Sequence, residues 1–485
     1  MDARRDPVSR RETEKTAAFA AAVFFFALAL RLRGLGTVFP VNDEFMQFYE
    51  ALHPLGWRGF LALLAHNPHH VLIDPLTTRL AAMVSPSLWS MRIPSALAGA
   101  LGAWLTCRLG EREGRPLLGL AAGLLLSVSL LHLDWSRRAD FYALLTMVSI
   151  WSTIDYFAVL DRPASWPRLT LSCAVFLYSH PYAVLMACFQ ALFSFMTVAK
   201  PRRREALAAV FKAWTVAVLI FLPWFFFSTK ALLNPSLFDF RGNPATLRFG
   251  EFLAGLPAAL AQSPEAGFIP VWAKAAFASV YALGWASSLI ALPREKPSRL
   301  VAFSHAVLVF GFAAVVAADL RYHYYLAHRQ LLWLLPFYLV AVADGWSRLI
   351  ERDSLRRALL AAAVLGGGLL AGGVARWQEE RSAGMERLIG QMDRAAAGGD
   401  ALAFENDQLA AGFLFSFDRD AFTRIPDMRL ERGMMTYEFP QGFSASRAGR
   451  TFPVSTGGPC ARDARAWVLC GSVYDTTVLP PAAGR

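Results

Sequence analysis

Long apolar segments recur along this chain at the intervals expected of a protein that crosses a membrane many times. Over a window of ~19 residues, about eleven segments are hydrophobic enough to span a bilayer. Several are shorter than the ~20 residues of a typical crossing, which suits tilted helices that are partly buried in protein. The pattern predicts an all-α polytopic membrane protein. The approximate spans are 16–35, 92–109, 116–133, 139–160, 168–179, 181–199, 212–229, 269–292, 300–319, 329–346 and 358–375.

Composition agrees with this interpretation and narrows the class of protein. Of the 485 residues, 55% are hydrophobic and 18% are charged, compared with about 25% charged residues in an average soluble domain. The formal net charge of +11 could indicate a nucleic-acid ligand, but the basic residues stand in short clusters between apolar segments. Because that distribution follows the positive-inside rule, we expect membrane lipid and no nucleic acid among the partners.

The basic clusters also predict the orientation of the helices. The first apolar segment follows a basic N-terminus and lacks a small-residue cleavage site, so it is interpreted as a retained signal anchor with its start in the cytoplasm. The stretch 168–199 is expected to hold two short helices joined by an outer turn at His180 and Pro181. A single helix there would place the basic cluster that begins at Lys200 outside the cytoplasm, against the preference of basic residues for cytoplasmic loops.

Two regions are predicted to lie outside the membrane. The first outer loop covers about 36–91, and within it apolar residues recur at helical spacing from Glu44 to Leu64. That spacing suggests an amphipathic helix at the membrane interface. The second region is the polar tail, 376–485, which is long enough for a small extracytoplasmic mixed α/β domain following a transmembrane domain over 1–375.

Two further expectations concern the tail. Segments 401–405 and 466–470 are candidates for strands. If the tail is extracytoplasmic, Cys460 and Cys470 could form a disulfide bond, whereas the alternative is two free thiols.

The polar residues of the outer loops are the candidates for chemistry. Asp43 and Glu44 follow the first apolar segment, and His69 and His70 lie further along the same loop. A carboxylate beside an acceptor hydroxyl can act as a general base. Carboxylates such as Asp43 and Glu44 could also hold a divalent metal ion that neutralises a phosphate. The structural alternative is that Asp43 caps the following helix.

Other outer turns carry arginine, histidine and tyrosine. Arg137 and Arg138 stand in a short turn after the third predicted helix, where two basic residues break the local charge bias. The guanidinium group suits phosphate oxygens, so a polyanionic ligand is one explanation, and an ion-pair cluster with neighbouring aspartates is the other. Arg329 begins the tenth predicted helix, within reach of a lipid phosphate, and His180 lies in the remaining polar turn.

These residues, in this order, resemble the GT-C superfamily of polyprenyl-phosphate-sugar glycosyltransferases. The bacterial branch related to protein O-mannosyltransferases and the lipid A aminoarabinose transferase (glycosyltransferase family 39) is the most similar. An Asp-Glu pair after the first transmembrane helix is similar to that of the family, and four later segments over the first 350 or so residues are similar to its motifs. They are NPHHVLIDPLTTRL with Arg92-Ile93-Pro94-Ser95, SRRADFYALL around Tyr142, LYSHPYAVLM around His180, and HRQLLWLLPFYLV from His328.

Two motifs depart from the family pattern. The Ala-Arg-x-Tyr signature becomes Ala139-Asp140-Phe141-Tyr142, with the arginines moved upstream to positions 137 and 138. The His-Pro-Pro element is altered to Pro68-His69-His70. The sequence therefore leaves open which arginine, if either, takes the family role.

The resemblance implies an inverting transfer of a sugar from a polyprenyl-phosphate donor to an envelope acceptor, which could be a lipid, a glycan or a protein. It implies a bacterial inner-membrane location with the active site on the periplasmic side. Asp43 would be the base and Glu44 its support, while Arg137 or Arg138, together with Arg329, would stabilise the departing lipid phosphate. His69, His70, Tyr142 and His180 would contact substrate. A divalent metal ion is compatible with this chemistry but is not required by it.

Two other classes of protein stay open from the sequence. A transporter or flippase for a lipid-linked or anionic substrate would predict internal repeats and helices broken at the bilayer midplane. A non-catalytic envelope scaffold would tolerate substitution of Asp43 and Glu44. Neither repeats nor charges in the middle of both halves are visible in the sequence, and no glycine-rich nucleotide-binding loop is present, which favours a lipid-linked donor.

Overall fold

The computed structural model describes most of the chain. The described residues are 7–40, 42–65, 71–232, 247–261, 269–322, 327–395, 400–431, 434–461, 466–472 and 475–479. Within these ranges a few side chains are not described, among them those of Asn42 and Asp43.

Helices dominate the structure, and each predicted membrane span coincides with helix. The α-helices are α1 (Pro7–Leu32), α2 (Asn42–Leu52), α3 (Trp57–Ala65), α4 (Ile73–Val84), α5 (Leu88–Arg112), α6 (Pro116–Val128), α7 (Leu130–Trp135), α8 (Tyr142–Asp161), α9 (Trp166–Leu177), α10 (Tyr182–Thr197), α11 (Lys200–Leu232), α12 (Phe249–Ala261), α13 (Val271–Ala291), α14 (Arg299–Tyr322), α15 (Leu335–Leu349), α16 (Asp353–Ala395), α17 (Asp407–Phe417) and α18 (Arg419–Thr423). A 3₁₀ helix, His328–Leu334, leads directly into α15.

Some of these helices meet a simple criterion for crossing a membrane. Within the described part of the chain, five helices are long and apolar enough, and they lie in α1, α8, α11, α14 and α16. The window in α8 is 78% buried, whereas that in α1 is 22% buried. Therefore α8 lies at the centre of the bundle and α1 at its rim. The number of crossings, about eleven, stays a prediction.

The interruption of the stretch 168–199 is confirmed. Helix α9 ends at Leu177 and α10 begins at Tyr182, with the turn between them at Tyr178 to Pro181. The carbonyl of Tyr178 accepts a hydrogen bond from the backbone N–H of Ile73, at 3.1 Å. The first outer loop is therefore attached to this turn.

Close packing inside the bundle depends on small residues. At the crossing of α5 and α6, a Cβ atom added to Gly110 would lie 2.3 Å from the Cα of Gly119. Because real Cβ atoms do not approach so closely, only glycine allows the two backbones to meet here.

The C-terminal region forms a small mixed sheet. Its strands are β1 (Ala401–Phe404), β2 (Asp427–Glu431), β3 (Met434–Glu438), β4 (Ser444–Arg447), β5 (Arg450–Thr456), β6 (Ala466–Ser472) and β7 (Asp475–Leu479). Five of them form one sheet in the order β4-β5-β1-β6-β7, and β2 pairs with β3. Strand β1 runs parallel to both β5 and β6, with Leu402 opposite Val454 and Trp467. Both predicted strands are confirmed, and they are neighbours.

A disulfide bond joins Cys460 to Cys470 in this sheet region. Cys470 lies on β6 and is buried.

The disulfide bond gives a prediction for the stability of the C-terminal region. We expect the double variant Cys460→Ser/Cys470→Ser to lower its free energy of unfolding by roughly 2–3 kcal/mol, because the cross-link restricts the conformations that the unfolded chain can adopt. Thermal unfolding of the purified protein should show a lower midpoint. Cys188→Ser, at an exposed free cysteine, is the control, and equal midpoints for both variants would contradict the expectation.

The predicted interfacial helix differs from the structure. The stretch from Glu44 to Leu64 forms two helices, α2 and α3, instead of one. The apolar face of α2 packs against the C-terminal domain and not against lipid, since Phe45, Phe48 and Tyr49 share one buried cluster with residues of α17 and α18. The spacing of apolar residues in the sequence indicates that the helix has an apolar face, but it does not identify the surface that covers this face.

Candidate active site

The Asp43-Glu44 pair lies in the first turn of α2. The helix begins at Asn42, one residue before Asp43, and Glu44 follows in the same turn. The Asp43 side chain lies outside the described part, so its placement follows from the helix that carries it. The position of Asp43 is therefore set by whatever holds the start of α2.

Glu44 holds the start of α2 through an ion pair with Arg92 in α5. Arg92 Nε donates to Glu44 Oε1 at 2.7 Å, and Arg92 Nη2 donates to Glu44 Oε2 at 2.8 Å. Both side chains are 1% exposed. Such a two-pronged pair fixes direction as well as distance, and burial removes the competition from water.

The same pair binds three backbone groups from two other segments of the chain. Arg92 Nη1 donates to the carbonyls of Leu35 at 2.9 Å and Val38 at 2.7 Å, which follow α1. The backbone N–H of Ala139, in the turn before α8, donates to Glu44 Oε1 at 2.9 Å. The ion pair thus joins the end of α1, the start of α2, the start of α5 and the 136–141 turn. We refer to Glu44, Arg92 and the Ala139 N–H as the carboxylate clamp.

The turn before α8 also fits closely against α5. A Cβ atom at Gly99 would lie 2.5 Å from Ser136 Cβ and 2.5 Å from Arg31 Nε. One helical turn earlier in α5, Ser95 Oγ donates to the carbonyl of Asp140 at 3.0 Å. The turn that carries Arg137 and Arg138 is therefore held in one conformation.

The two arginines of this turn point to different surroundings. Arg137 donates to Gln378 Oε1 at 3.2 Å and to the carbonyl of Arg33 at 2.7 Å, so it joins α16 to the end of α1. Arg138 instead pairs with Asp134, at 2.8 Å between Nη2 and Oδ2. Burial lowers the pKa of Arg137, and Asp134 partly offsets that effect. The two arginines, which the sequence left equivalent, therefore have different partners in the structure.

Arg138 and Arg329 meet at one aromatic ring. The guanidinium carbon of Arg138 lies 4.5 Å from the centre of the Trp135 ring, and that of Arg329 lies 5.0 Å from the same centre. Arg329 Nε also donates to the hydroxyl of Tyr142 at 3.1 Å, and the Tyr142 ring packs on Trp135 with centres 4.7 Å apart. Two cations that come from distant parts of the chain therefore flank one tryptophan.

His180 lies beside this group through a chain of ring contacts. Its ring centre is 4.8 Å from that of Phe141 and 4.3 Å from that of Tyr182. The backbone N–H of Tyr182 donates to His180 Nδ1 at 3.1 Å, so in the neutral ring the proton is on Nε2. Tyr182 in turn donates its hydroxyl to Gln330 Oε1 at 2.7 Å, next to Arg329. The 178–182 turn is thus joined to the 3₁₀ helix.

The structure brings together most of the residues that the sequence predicted. Glu44, Arg138, Tyr142, His180 and Arg329 belong to loops and helix ends that contact one another at one end of the bundle. His69 and His70 lie outside the described residues.

The contacts also bear on the metal that the sequence left open. Among the described residues, no group of three histidine, cysteine, aspartate or glutamate side chains could hold a metal ion. Both oxygens of Glu44 already accept hydrogen bonds from Arg92 or Ala139. Glu44 therefore does not fit the role of a metal ligand.

Sequence reasoning did not identify three residues that shape the site. Arg92 was seen only as part of a motif, although an arginine in an otherwise apolar helix predicts a buried anionic partner. Trp135 stands one helical turn before Arg138, and that spacing was a usable signal. Gln378, which contacts both Asp134 and Arg137, gave no signal in the sequence.

Comparison with known proteins supports the fold. A family model described as dolichyl-phosphate-mannose-protein mannosyltransferase matches residues 67–227. The crystal structure of ArnT from Cupriavidus metallidurans in the apo state has a TM-score of 0.54 at 12% identity and covers 84% of this chain and 85% of that chain. The same protein bound to undecaprenyl phosphate has a TM-score of 0.51 at 14% identity and covers 79% of this chain and 73% of that chain. No curated protein sequence matches.

The fold defines a class. The chain is a mostly helical protein with several candidate membrane spans and a small C-terminal sheet region, and its fold is similar to that of ArnT, a GT-C protein. The resemblance to GT-C glycosyltransferases, first seen in short motifs, is confirmed.

Proposed function

We propose that this protein is an inverting glycosyltransferase that moves a sugar from a polyprenyl-phosphate donor to an envelope acceptor. The single observation that carries the proposal is the meeting of Arg138 and Arg329 at Trp135, beside Tyr142. Asp134 pairs with one of these two guanidinium groups, and a further anion at the ring would be attracted by both of them. A lipid phosphate is the anion that a membrane supplies.

The reaction needs two kinds of group at opposite sides of the sugar. The acceptor oxygen attacks the anomeric carbon, the bond from that carbon to the phosphate oxygen breaks, and polyprenyl phosphate leaves with both electrons. Asp43 takes the proton from the attacking hydroxyl as general base. Arg138 and Arg329 stabilise the negative charge that grows on the departing phosphate. Attack opposite to the leaving group inverts the anomeric centre.

The other residues support these two groups. Glu44 orients the start of α2, and therefore Asp43, through the carboxylate clamp. Tyr142 fixes the direction of Arg329 by accepting its Nε–H. Arg137 connects the turn to α16 and is assigned a structural role. His180, and the histidines 69 and 70 of the first outer loop, are proposed to contact the sugar or acceptor.

Several observations support a site on the periplasmic side of the bacterial inner membrane. The contacts among the end of α1, the start of α5, the 136–141 turn and the 178–182 turn place all of them at one end of the bundle. The distribution of basic residues predicts that this end faces outward. The disulfide between Cys460 and Cys470 suits an oxidising compartment.

The proposal is tested with purified wild-type protein in liposomes that contain radiolabelled polyprenyl-phosphate sugars and an extract of envelope acceptors. We expect label in the acceptor fraction, release of polyprenyl phosphate, and an inverted anomeric centre in the product. Label that crosses the bilayer with the sugar-phosphate bond intact would instead identify a transporter. No transfer and no crossing, in the presence of donor and acceptors, would favour a scaffold.

The role of Arg329 gives a separate prediction. We expect Arg329→Lys to lower kcat/KM for the donor about ten- to a hundredfold, because lysine cannot contact Tyr142 and a phosphate oxygen with one planar group. One charge-assisted hydrogen bond corresponds to about 1.5–3 kcal/mol. Initial rates against donor concentration give the measurement. Arg248→Lys, at an exposed arginine, is the control, and equal effects of the two substitutions would contradict a role in donor binding.

A further inference from the structure

Helix α2 is too short to define its own position. It has 11 residues, whereas isolated helices below ~12–15 residues are marginal in water. It follows a loop that leaves the membrane and leads into another loop, so its place depends on tertiary contacts. The carboxylate clamp supplies one set of these contacts, at the first turn.

The second set comes from the C-terminal domain. The ring of Phe48 stacks on that of Phe415 in α17, with centres 5.2 Å apart and planes at 19°. Phe45 meets Phe415 edge-on, with centres 5.7 Å apart. Tyr49 packs edge-on against Phe422 in α18, with centres 6.2 Å apart. All of these aromatic residues are 2% exposed or less.

A directional bond accompanies the ring contacts. The hydroxyl of Tyr49 donates to the carbonyl of Ile425, which follows α18, at 2.8 Å. In addition, the backbone N–H of Phe39, just before α2, donates to Ser382 Oγ in α16 at 2.6 Å. Chain segments beyond residue 376 therefore hold α2 both before its start and along its length. We refer to Phe415, Phe422 and the Ile425 carbonyl as the aromatic seat.

The seat is part of a folded core and not a flexible surface contact. Residues of α2, α17 and α18 belong to the same buried cluster as Phe404, Phe417, Phe452 and Leu469 of the C-terminal domain. Aromatic packing and a hydroxyl bond constrain rotation of α2 about its axis as well as its distance from the membrane. The carboxylate clamp contacts only the first turn of α2. By itself it does not fix the rotation or the distance of the whole helix.

From this geometry we infer that the C-terminal domain is a positioning element of the active site. Its aromatic seat sets the orientation of α2, and therefore the direction in which the first turn presents Asp43. The inference rests on the proposed function for the catalytic meaning of Asp43. The donor-phosphate groups, Arg138 and Arg329, lie on other elements, although the turn that carries Arg138 is bonded to α2 through the Ala139 N–H and Glu44. Because the seat holds α2 itself, its main effect is on the acceptor side of the reaction.

The kinetic test compares two phenylalanines of the same core in the full-length protein. Phe415 touches α2, whereas Phe452 packs against Phe417 within the domain, with centres 5.4 Å apart. A displacement of about 1 Å at a reacting group can cost 10²-fold in rate. We expect kcat to fall about tenfold in Phe415→Leu and about a hundredfold in Phe415→Ala, with donor KM within twofold of wild type. Phe452→Leu should keep the wild-type kcat.

A finer variant separates positioning from loss of packing. Tyr49→Phe keeps the ring and removes the hydroxyl that donates to the Ile425 carbonyl. We expect a several-fold lower kcat with unchanged donor KM, and an unfolding midpoint no lower than that of Phe452→Leu. Wild-type kcat in both Tyr49→Phe and Phe415→Leu would overturn the inference.

A thiol-labelling experiment tests the same inference without measuring sugar transfer. Ala51 is a buried small residue on α2, and Ala51→Cys is placed in a Cys188→Ser background to remove the exposed free thiol. We expect maleimide to react several-fold faster at position 51 when Phe415→Leu is added, and at the original rate when Phe452→Leu is added. Equal rates would show that the seat does not hold α2. If wild-type protein transfers no sugar, the proposed function fails while the labelling still reports on the seat.

Discussion

Replacement of Asp43 by asparagine is expected to reduce sugar transfer by about 10²–10⁴-fold, the range that general base catalysis contributes. Asparagine has nearly the same shape as aspartate but cannot take the acceptor proton. The helix that carries the residue is held by contacts that do not involve the Asp43 carboxylate, namely the carboxylate clamp and the aromatic seat. Folding and donor binding should therefore persist, and the loss should appear in kcat.

The measurement is the rate of transfer from radiolabelled donor, normalised to the amount of folded protein. Asp420→Asn removes an exposed carboxylate in α18 of the C-terminal domain and is the matched control, for which we expect less than a twofold change. Transfer at the wild-type rate in Asp43→Asn would remove the residue from the mechanism. Asp43 would then be only an acidic residue in the first turn of α2, where a carboxylate favours the helix dipole.

The second large effect concerns the Glu44–Arg92 ion pair. We expect Glu44→Gln to lower stability by about 3–5 kcal/mol, because it leaves the Arg92 guanidinium buried without a carboxylate. We expect a loss of the same order from Arg92→Met, which leaves the buried carboxylate of Glu44 without its cation. Either change would remove a large part of the stability of a typical domain, which is about 5–15 kcal/mol. Low yield and an earlier thermal midpoint are the expected observations.

A double-mutant cycle separates the interaction free energy of the ion pair from the effect of each single substitution. In Glu44→Gln/Arg92→Met no charge stays buried, so we expect the double variant to be less destabilised than the sum of the single variants. The control is Glu111→Gln, which breaks a partly exposed ion pair with Arg108 and should cost less than about 1 kcal/mol. Equal losses at Glu44 and Glu111, or strict additivity in the cycle, would contradict the role of the clamp.

The helices were predictable because their cause is local. Each predicted span corresponds to an apolar stretch whose backbone must satisfy its hydrogen bonds internally within a bilayer. The turn between α9 and α10 was predictable from the proline at position 181 and from the charge of the loop that follows. Helix α12 was not predicted, because its 13 residues, although apolar, are too short to fill a membrane-length window.

The site was predictable as a set of residue types but not as an arrangement. Glu44, Arg138 and Arg329 were identified because a charged residue next to a membrane segment costs free energy unless it has a partner or a function. Their partners were not predictable, since Arg92, Trp135 and Gln378 are ordinary residues until the fold places them. In the same way, the sequence left Arg137 and Arg138 equivalent, and only their contacts with Gln378 and Trp135 separated them.

By itself, the sequence determined that this chain enters the membrane repeatedly and that it resembles GT-C glycosyltransferases, and it predicted that the polar turns lie at the outer face. These properties follow from local hydrophobicity and from the charge of short loops. Only the tertiary structure decided that the apolar face of α2 packs on the C-terminal domain, that Glu44 is held by Arg92, and that Arg138 and Arg329 meet at Trp135. Those contacts join residues up to hundreds of positions apart, and local periodicity does not contain the distances between them.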